Sequence, residues 1–456
     1  MNKFFYTTVF ALCMAVLFSP VVRAEDCSLP YGMISTFKDD PLGSYNVWDG
    51  LFGSMEETER FATGVAAPNR TVIVVGDRYS HEDDPREMIL VKMDKRGRVM
   101  WEKSADVEDL IKVIKILPHT KGYMVMANLH KTDSKKERIW FGTFDTEGNL
   151  LSEATIGDQK FDLEAHDIIE GKDDNEFLIA VSAKRDDLEK TENAVIYRVN
   201  AEGKVQSYNG YAPGLQNGLL DLVKMPEGGY LATGFITNEE GRRSGWVVRL
   251  NESGSIKWQS QYARGILSSL NAGANFIDNH IIVAGETHPI GAGERAAWVM
   301  ALRKGTGNVS WQRYYRGNLA YGVRDIIAYP DGLISVMIDG RPAKGDTKSL
   351  AEVRMVTLSP RGATVGSGTY LNGHGANASQ MIQGPNMDHI LIGHSRAFHH
   401  PYRGKDKEQE KILTPEEEEE LREDDNNYSV DGWVLAAPPN DPYTDPCKLP
   451  YNNVEE

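Results

Sequence analysis

The sequence predicts an all-β chain, a seven-bladed β-propeller of four-stranded antiparallel blades closed by an N-terminal strand in the last blade. Three observations predict it: a recurring set of four short apolar strands, turn residues at matching places between them, and a blade left one strand short at the C-terminal end while an unpaired strand stands near the N-terminus.

The clearest unit runs from Leu219 to Gly265. Leu219 to Met225 is strand a, Pro226 to Gly229 a turn, Tyr230 to Phe235 strand b, Gly245 to Leu250 strand c, Asn251 to Gly254 a turn, and Ser255 to Tyr262 strand d. Apolar residues fill the strands, and Gly, Asn, Asp and Pro fill the turns, where a positive or preset φ is needed. Strand c with its turn recurs at Ile89 to Gly97, Trp140 to Gly148, Val195 to Gly203, Trp298 to Gly307 and Val353 to Gly362. A last copy, Gly432 to Ala437, stops at Pro438 with no strand d after it. Tyr45 to Gly53 reads as the missing strand, and pairing it there hides an edge that an open stack would expose.

The expected organisation is therefore a signal peptide over residues 1–24, an N-terminal extension over 25–44, the propeller over 45–438 with an acidic insertion at 396–431, and a C-terminal tail over 439–456. Lys3, the apolar run Phe4 to Phe18 and the small-residue site Val22-Arg23-Ala24 read as an export signal. The expected location is periplasmic or secreted, and no later run is long and apolar enough to span a membrane. Cleavage leaves Cys27 and Cys447, and an even count in an oxidising compartment predicts a disulfide across the closing seam. A formal net charge of −16 argues against nucleic acid, whose phosphates need a basic footprint.

Asp221, Pro226, Glu227, Gly228, Gly229, Tyr230, Gly234, Trp246, Leu250, Asn251, Gly254 and Trp258 form a pattern that resembles the secreted β-propeller repeats of the quinoprotein-like and delta-60 types. The resemblance extends over residues 45–438. Ala301 to Trp311 is similar to the blade motif of quinoprotein dehydrogenases, although Arg303 and Lys304 stand near that motif's Asp. Those enzymes have eight blades and an adjacent-cysteine pair, which this chain lacks. The resemblance implies the fold and does not imply the cofactor.

In a propeller the a-to-b and c-to-d turns share one face, here tight, while the b-to-c and d-to-a connections share the other, here long and charged. Binding residues concentrate on such loops. The candidate ligand-binding residues on this loop-rich face are His166, Arg324, His374, His399, His400 and Tyr402; the run His400-Pro401-Tyr402-Arg403 suits an anionic or sugar-like ligand. His119, His280 and His389 fall in the opposite, tight turns.

Asp167, Asp221 and Asp325 hold one place in strand a of three blades. Converging carboxylates allow Ca²⁺, but a residue repeated at one blade position is better explained by the same backbone hydrogen bond in every blade. No cofactor is expected. The repeated tryptophans, Trp246 and Trp298 among them, read as core between sheets, not as ligand platforms.

Glu416 to Asp425 holds eight acids and one Arg, and reads as a solvated insertion or as a docking arm for a basic partner. No nucleophile-elbow, zinc-protease or phosphate-loop pattern is present. The expected function is a non-enzymatic binding or scaffolding module for a protein, peptide or glycan in the cell envelope or outside the cell. The alternative is a hydrolase, lyase or quinone-type oxidoreductase with its site at the channel mouth.

Overall fold

The structure, a computed structural model, describes residues 48–437 apart from 55, 82–83, 131–135, 159, 174, 186–191, 289–293, 344–345, 347–348, 371–374, 385–388 and 400–427, and also residues 451–452. The expected signal segment, Cys27, Cys447, His374, His400, Tyr402 and most of the acidic insertion lie outside the described residues.

The described chain is all-β. Strand β1 is Trp48–Phe52. Antiparallel sets of four then follow in order: β2 (Thr58–Ala67), β3 (Thr71–Tyr79), β4 (Glu87–Met93) and β5 (Val99–Ala105); β6 (Leu110–His119), β7 (Gly122–His130), β8 (Glu137–Phe144) and β9 (Leu150–Ile156). Next come β10 (Phe161–Glu170), β11 (Glu176–Arg185), β12 (Glu192–Asn200) and β13 (Val205–Tyr211); then β14 (Gln216–Lys224), β15 (Tyr230–Thr237), β16 (Arg243–Leu250) and β17 (Ile256–Tyr262). They are followed by β18 (Leu267–Asn275), β19 (His280–His288), β20 (Ala296–Arg303) and β21 (Val309–Arg316); and β22 (Ala320–Ala328), β23 (Ile334–Arg341), β24 (Glu352–Leu358) and β25 (Thr364–Tyr370). The last set has β26 (Ala376–Gln383), β27 (His389–Phe398) and β28 (Tyr428–Ala437), and its fourth strand is β1, paired Trp48 to Ala436 through Phe52 to Gly432. A short strand β29 (Tyr451–Asn452) pairs with the outer edge of β21.

The middle strands of each set are covered on both faces, so Tyr230–Thr237 is buried at every residue, whereas outer strands such as Val205–Tyr211 are mostly exposed. Consecutive sets pack face to face on apolar clusters. The first strands of neighbouring sets pack on one another from β2 to β26, and β26 packs back on β2.

At that last junction Phe61, Val72, Val74 and Ile89 of the first set meet Ile390, Ile392 and Val434 of the last, with Trp48 and Phe52 packed against them. Full burial of one such side chain contributes roughly 1.5–3 kcal/mol, against about 0.5–1.5 kcal/mol for a backbone hydrogen bond. The junction is held mainly by this apolar cluster, and β1 covers its edge.

Trp48 makes the contact that recurs around the molecule, in which an outer-strand side chain lies on the turn glycine of the next set. A Cβ at Gly97 would meet the Trp48 ring at 2.3 Å, as one at Gly148 would meet Trp101 and one at Gly362 would meet Trp311. Gly97 also has a φ of +75, so it serves both the left-handed turn and the tryptophan's approach.

Trp48→Ala is expected to destabilise by about 1–3 kcal/mol, below the full core penalty because the ring is only half-buried. Hydrogen exchange should quicken at Gly432 to Ala436 while the other sets keep their protection. Loss of protection throughout would show that β1 is needed for folding.

Candidate functional site

Every first strand carries a β-bulge, and the residue following it faces inward. These residues are Thr63, Lys115, Asp167, Asp221, Ala272, Asp325 and Gln380. A bulge re-aims a side chain and raises local twist, and here the re-aimed side chain reaches the next set's backbone. Thr63 Oγ1 accepts the Ile116 N–H at 3.2 Å, Asp167 Oδ2 that of Leu222 at 2.9 Å, and Asp221 Oδ2 that of Gly273 at 2.7 Å. Asp325 Oδ2 accepts the Met381 N–H at 3.0 Å, and Gln380 Oε1 accepts that of Gly64 at 2.9 Å, joining the last set to the first. Ala272 has no acceptor to offer, and Asp325 Oδ1 takes the Ile326 N–H of its own strand at 2.8 Å.

Lys115 differs because it is a donor. Its ammonium lies 2.5 Å from Asp167 Oδ1, with Asp221 and Asp325 also in its field. Burial works against the Lys115 charge, but the three carboxylates outweigh it and hold its pKa above the ordinary lysine value. One cation facing three carboxylates leaves an excess of negative charge. Burial, and then Asp167 beside it, push Asp221 well above the ordinary carboxylate range, and burial pushes Asp325 up to about 6. An ammonium thus sits among the carboxylates that the sequence reading allowed for Ca²⁺. Among the described residues no group of three or more His, Cys, Asp or Glu is arranged to hold a metal ion.

Toward the loop-rich face the same strands lose their uniformity. Register-paired positions of the first and second strands hold Arg60 with Asp77, Lys112 with Asn128, Glu164 with Ser182, Gly218 with Phe235, Ser269 with Glu286, Gly322 with Asp339, and Asn377 with His394. Asp77 is 2.6 Å from Arg86 and feels Arg60 and Lys112; Asp339, fully buried, takes Arg341 at 2.6 Å and Arg324 at 3.4 Å. His394 lies near Arg60, Arg341 and Asp339. Burial, and then the two cations, push its pKa down to about 4, so the ring is neutral at neutral pH.

Of the residues expected to bind ligand, Arg324 stands in this mouth. His166 occupies its bulge, with Nε2 2.8 Å from Ser182 Oγ, and burial lowers its pKa. Asp167 and Asp325 turn inward while the bulged residues before them, His166 and Arg324, turn to the second strand.

His399 stands apart at the seam, its Nε2 2.7 Å from Ser429 Oγ and 3.1 Å from Asp431 Oδ1. Serine and aspartate meet the same ring nitrogen, whereas a nucleophilic triad needs them on opposite nitrogens. Glu59 is beside Asp431, and burial and then that carboxylate push its pKa up to about 7. Glu59 and Asp431 are only 4% and 3% exposed.

His389 does not belong to an exposed turn. It is the first residue of β27 and fully buried, with Nε2 2.5 Å from the hydroxyl of Tyr329 in the neighbouring set. The sequence reading also missed Lys115, Arg60, Lys112, Asp339 and Glu59 as site residues. A signal for Lys115 was present: Lys115-Ile116 aligns with Asp167-Ile168, Asp221-Leu222 and Asp325-Ile326.

No family model and no curated relative matches the sequence. Among solved structures the chain is similar to a catalytically inactive virginiamycin B lyase from Staphylococcus aureus with quinupristin, at 10% identity and a TM-score of 0.46, covering 85% of this chain and 99% of that one. It is similar to an alpha-L-arabinofuranosidase of Fusarium graminearum with arabinobiose, at 12% identity and 0.46, covering 68% and 97%. It is also similar to the extracellular domains 1-2 of Drosophila Semaphorin 1b, at 9% and 0.42, covering 87% and 88%. These are propeller-type proteins, and likenesses this remote say nothing about activity or ligand.

Lys115→Met should cost about 3–5 kcal/mol, the range for removing one partner of a buried pair, and chemical denaturation would measure it. Asp325 has a folded-state pKa above its unfolded one, so its contribution is complete below pH ~4 and is lost as pH rises to about 6. The stability of Asp325→Asn should therefore rise relative to the natural protein across that window; parallel pH profiles would show that the carboxyl is not shifted.

Proposed function

We propose that the chain is an exported, closed, seven-bladed β-propeller acting as a non-enzymatic binding module for a protein or peptide at its loop-rich mouth. One observation supports the reading above others. Five of the seven inward positions after the bulges carry a side chain that accepts a backbone N–H of the next set, whereas the positions above them differ from set to set. A repeat needs the former for its own geometry; it does not need Arg60, Lys112, His394 and the buried Asp339 where other sets have Gly, Ser or Phe. Varied polar groups on a uniform frame are what a recognition surface requires.

The enzyme alternative has one observation in its favour, a carboxyl titrating near neutrality beside a second carboxylate, which suits acid–base chemistry. Burial of both Glu59 and Asp431 keeps a substrate away from them, and binding remains the better account.

The test is a peptide and glycan array probed with the natural protein, Arg324→Ala, His166→Ala and, on the opposite face, His280→Ala. The first two should lose binding tenfold or more in protein that stays folded by circular dichroism, and His280→Ala should bind normally. Equal loss from all three would exclude the mouth. A turnover abolished by Glu59→Gln alone would establish the enzyme reading.

A further inference from the structure

The formal net charge of the chain is −16, yet one arc of the mouth is cationic. Arg60 and Arg86 from the first set, Lys112 from the second, and Arg324 and Arg341 from the sixth face Asp77 and Asp339, with Glu164 also in the field of Lys112. Elsewhere on the mouth carboxylates match or outnumber the cations: Lys184 lies 2.8 Å from Glu164 with Glu192 and Glu137 also in its field, and Arg295 lies 2.8 Å from Glu286. The excess of cations is thus local to the sixth, seventh, first and second sets.

Three polar atoms in the arc are buried without a hydrogen-bond partner among the described residues, Arg60 Nε, His394 Nδ1 and Asp339 Oδ1. Leaving a buried polar group unpaired costs about 1–3 kcal/mol; an outside carboxylate would relieve Arg60 Nε, and His394 Nδ1 in the tautomer that carries its proton there, while a peptide N–H would relieve Asp339 Oδ1. Arg60 and Arg86 also lie over the Tyr79 ring, at 5.6 and 4.3 Å from its centroid, which restricts their guanidinium planes. A planar guanidinium held in this way presents a fork of donors matched to a carboxylate.

Resting on the binding reading above, we propose that the mouth recognises an acidic peptide, with Arg60, Lys112, Arg324 and Arg341 holding Glu or Asp side-chain carboxylates and His394 contributing a hydrogen bond among them. A peptide is favoured over an acidic glycan because a sugar ring is usually held against an exposed aromatic face. Tyr79 and Phe235 at the mouth are 5% and 7% exposed, and among the described residues the large exposed aromatic is Tyr208, on outer strand β13.

The experiment uses fluorescence anisotropy of a labelled decaglutamate peptide, with decaglutamine and an oligogalacturonate of similar charge as comparison probes. Decaglutamate should bind and weaken by tenfold or more between about 50 and 300 mM salt, since exposed charge pairs are screened over that range. Arg60→Gln and Lys112→Gln should each weaken it at least fivefold at unchanged melting temperature, and Lys257→Gln on outer strand β17 should leave it unchanged. Equal affinity for oligogalacturonate would overturn the peptide assignment.

No decaglutamate binding, with a neutral peptide's hydrogen-exchange footprint on the mouth, would overturn the acidic ligand and leave the binding face standing. Equal loss from Lys257→Gln and Arg60→Gln would overturn both.

Discussion

The structure depends on a line of inter-set bonds made by side chains that the bulges turn inward. In most sets the side chain is an acceptor, and it takes the backbone N–H of the residue just past the neighbouring set's inward position. A buried N–H must find a partner. At five of the junctions the partner comes from the neighbouring set, so these bulges are satisfied only when that neighbour is in place. Lys115 converts one link into an ion pair with Asp167 and neutralises part of the charge that three aspartates bring inward. The apolar clusters contribute most of the burial energy; the bulge residues fix how one set sits against the next.

That division explains how the two halves of each first strand differ. Below the bulge the sequence is constrained by packing and by the bracing bond. Above it, only solubility and whatever the mouth meets constrain the choice, and there the chain places Arg60, Lys112, Asp339 and His394. The frame needs its inward residues to be alike, and it leaves the mouth free to vary.

Most of the architecture was legible in the sequence because strands and turns repeat with the same residue types. Gly97, Gly148 and Gly362 mark turns, Trp246 and Trp298 mark buried middle strands, and Tyr45 to Gly53 reads as a strand in search of a set. The bracing role of Asp167, Asp221 and Asp325 was also readable from their repetition. Lys115 was harder to see because it fills the same place with the opposite charge, and its role depends on bulge geometry that has no sequence marker. The buried pair of His389 and Tyr329 was hidden for a similar reason, since a histidine at the start of a strand reads as a turn residue until the neighbouring set covers it. The mouth was legible only as a face: Arg324 and His166 were placed there, whereas Arg60 and His394 acquire meaning from the junction of the first and last sets.

The most direct measurement is a carbon-detected NMR titration of the aspartate side-chain carboxyls in the natural protein. The account predicts that Asp325 titrates near pH 6, that Asp221 titrates well above the ordinary carboxylate range, and that both shift further upward when Lys115 is replaced by Met. Ordinary titration of both near pH ~4, unchanged by that replacement, would contradict an inner ring of carboxylates gathered on one ammonium.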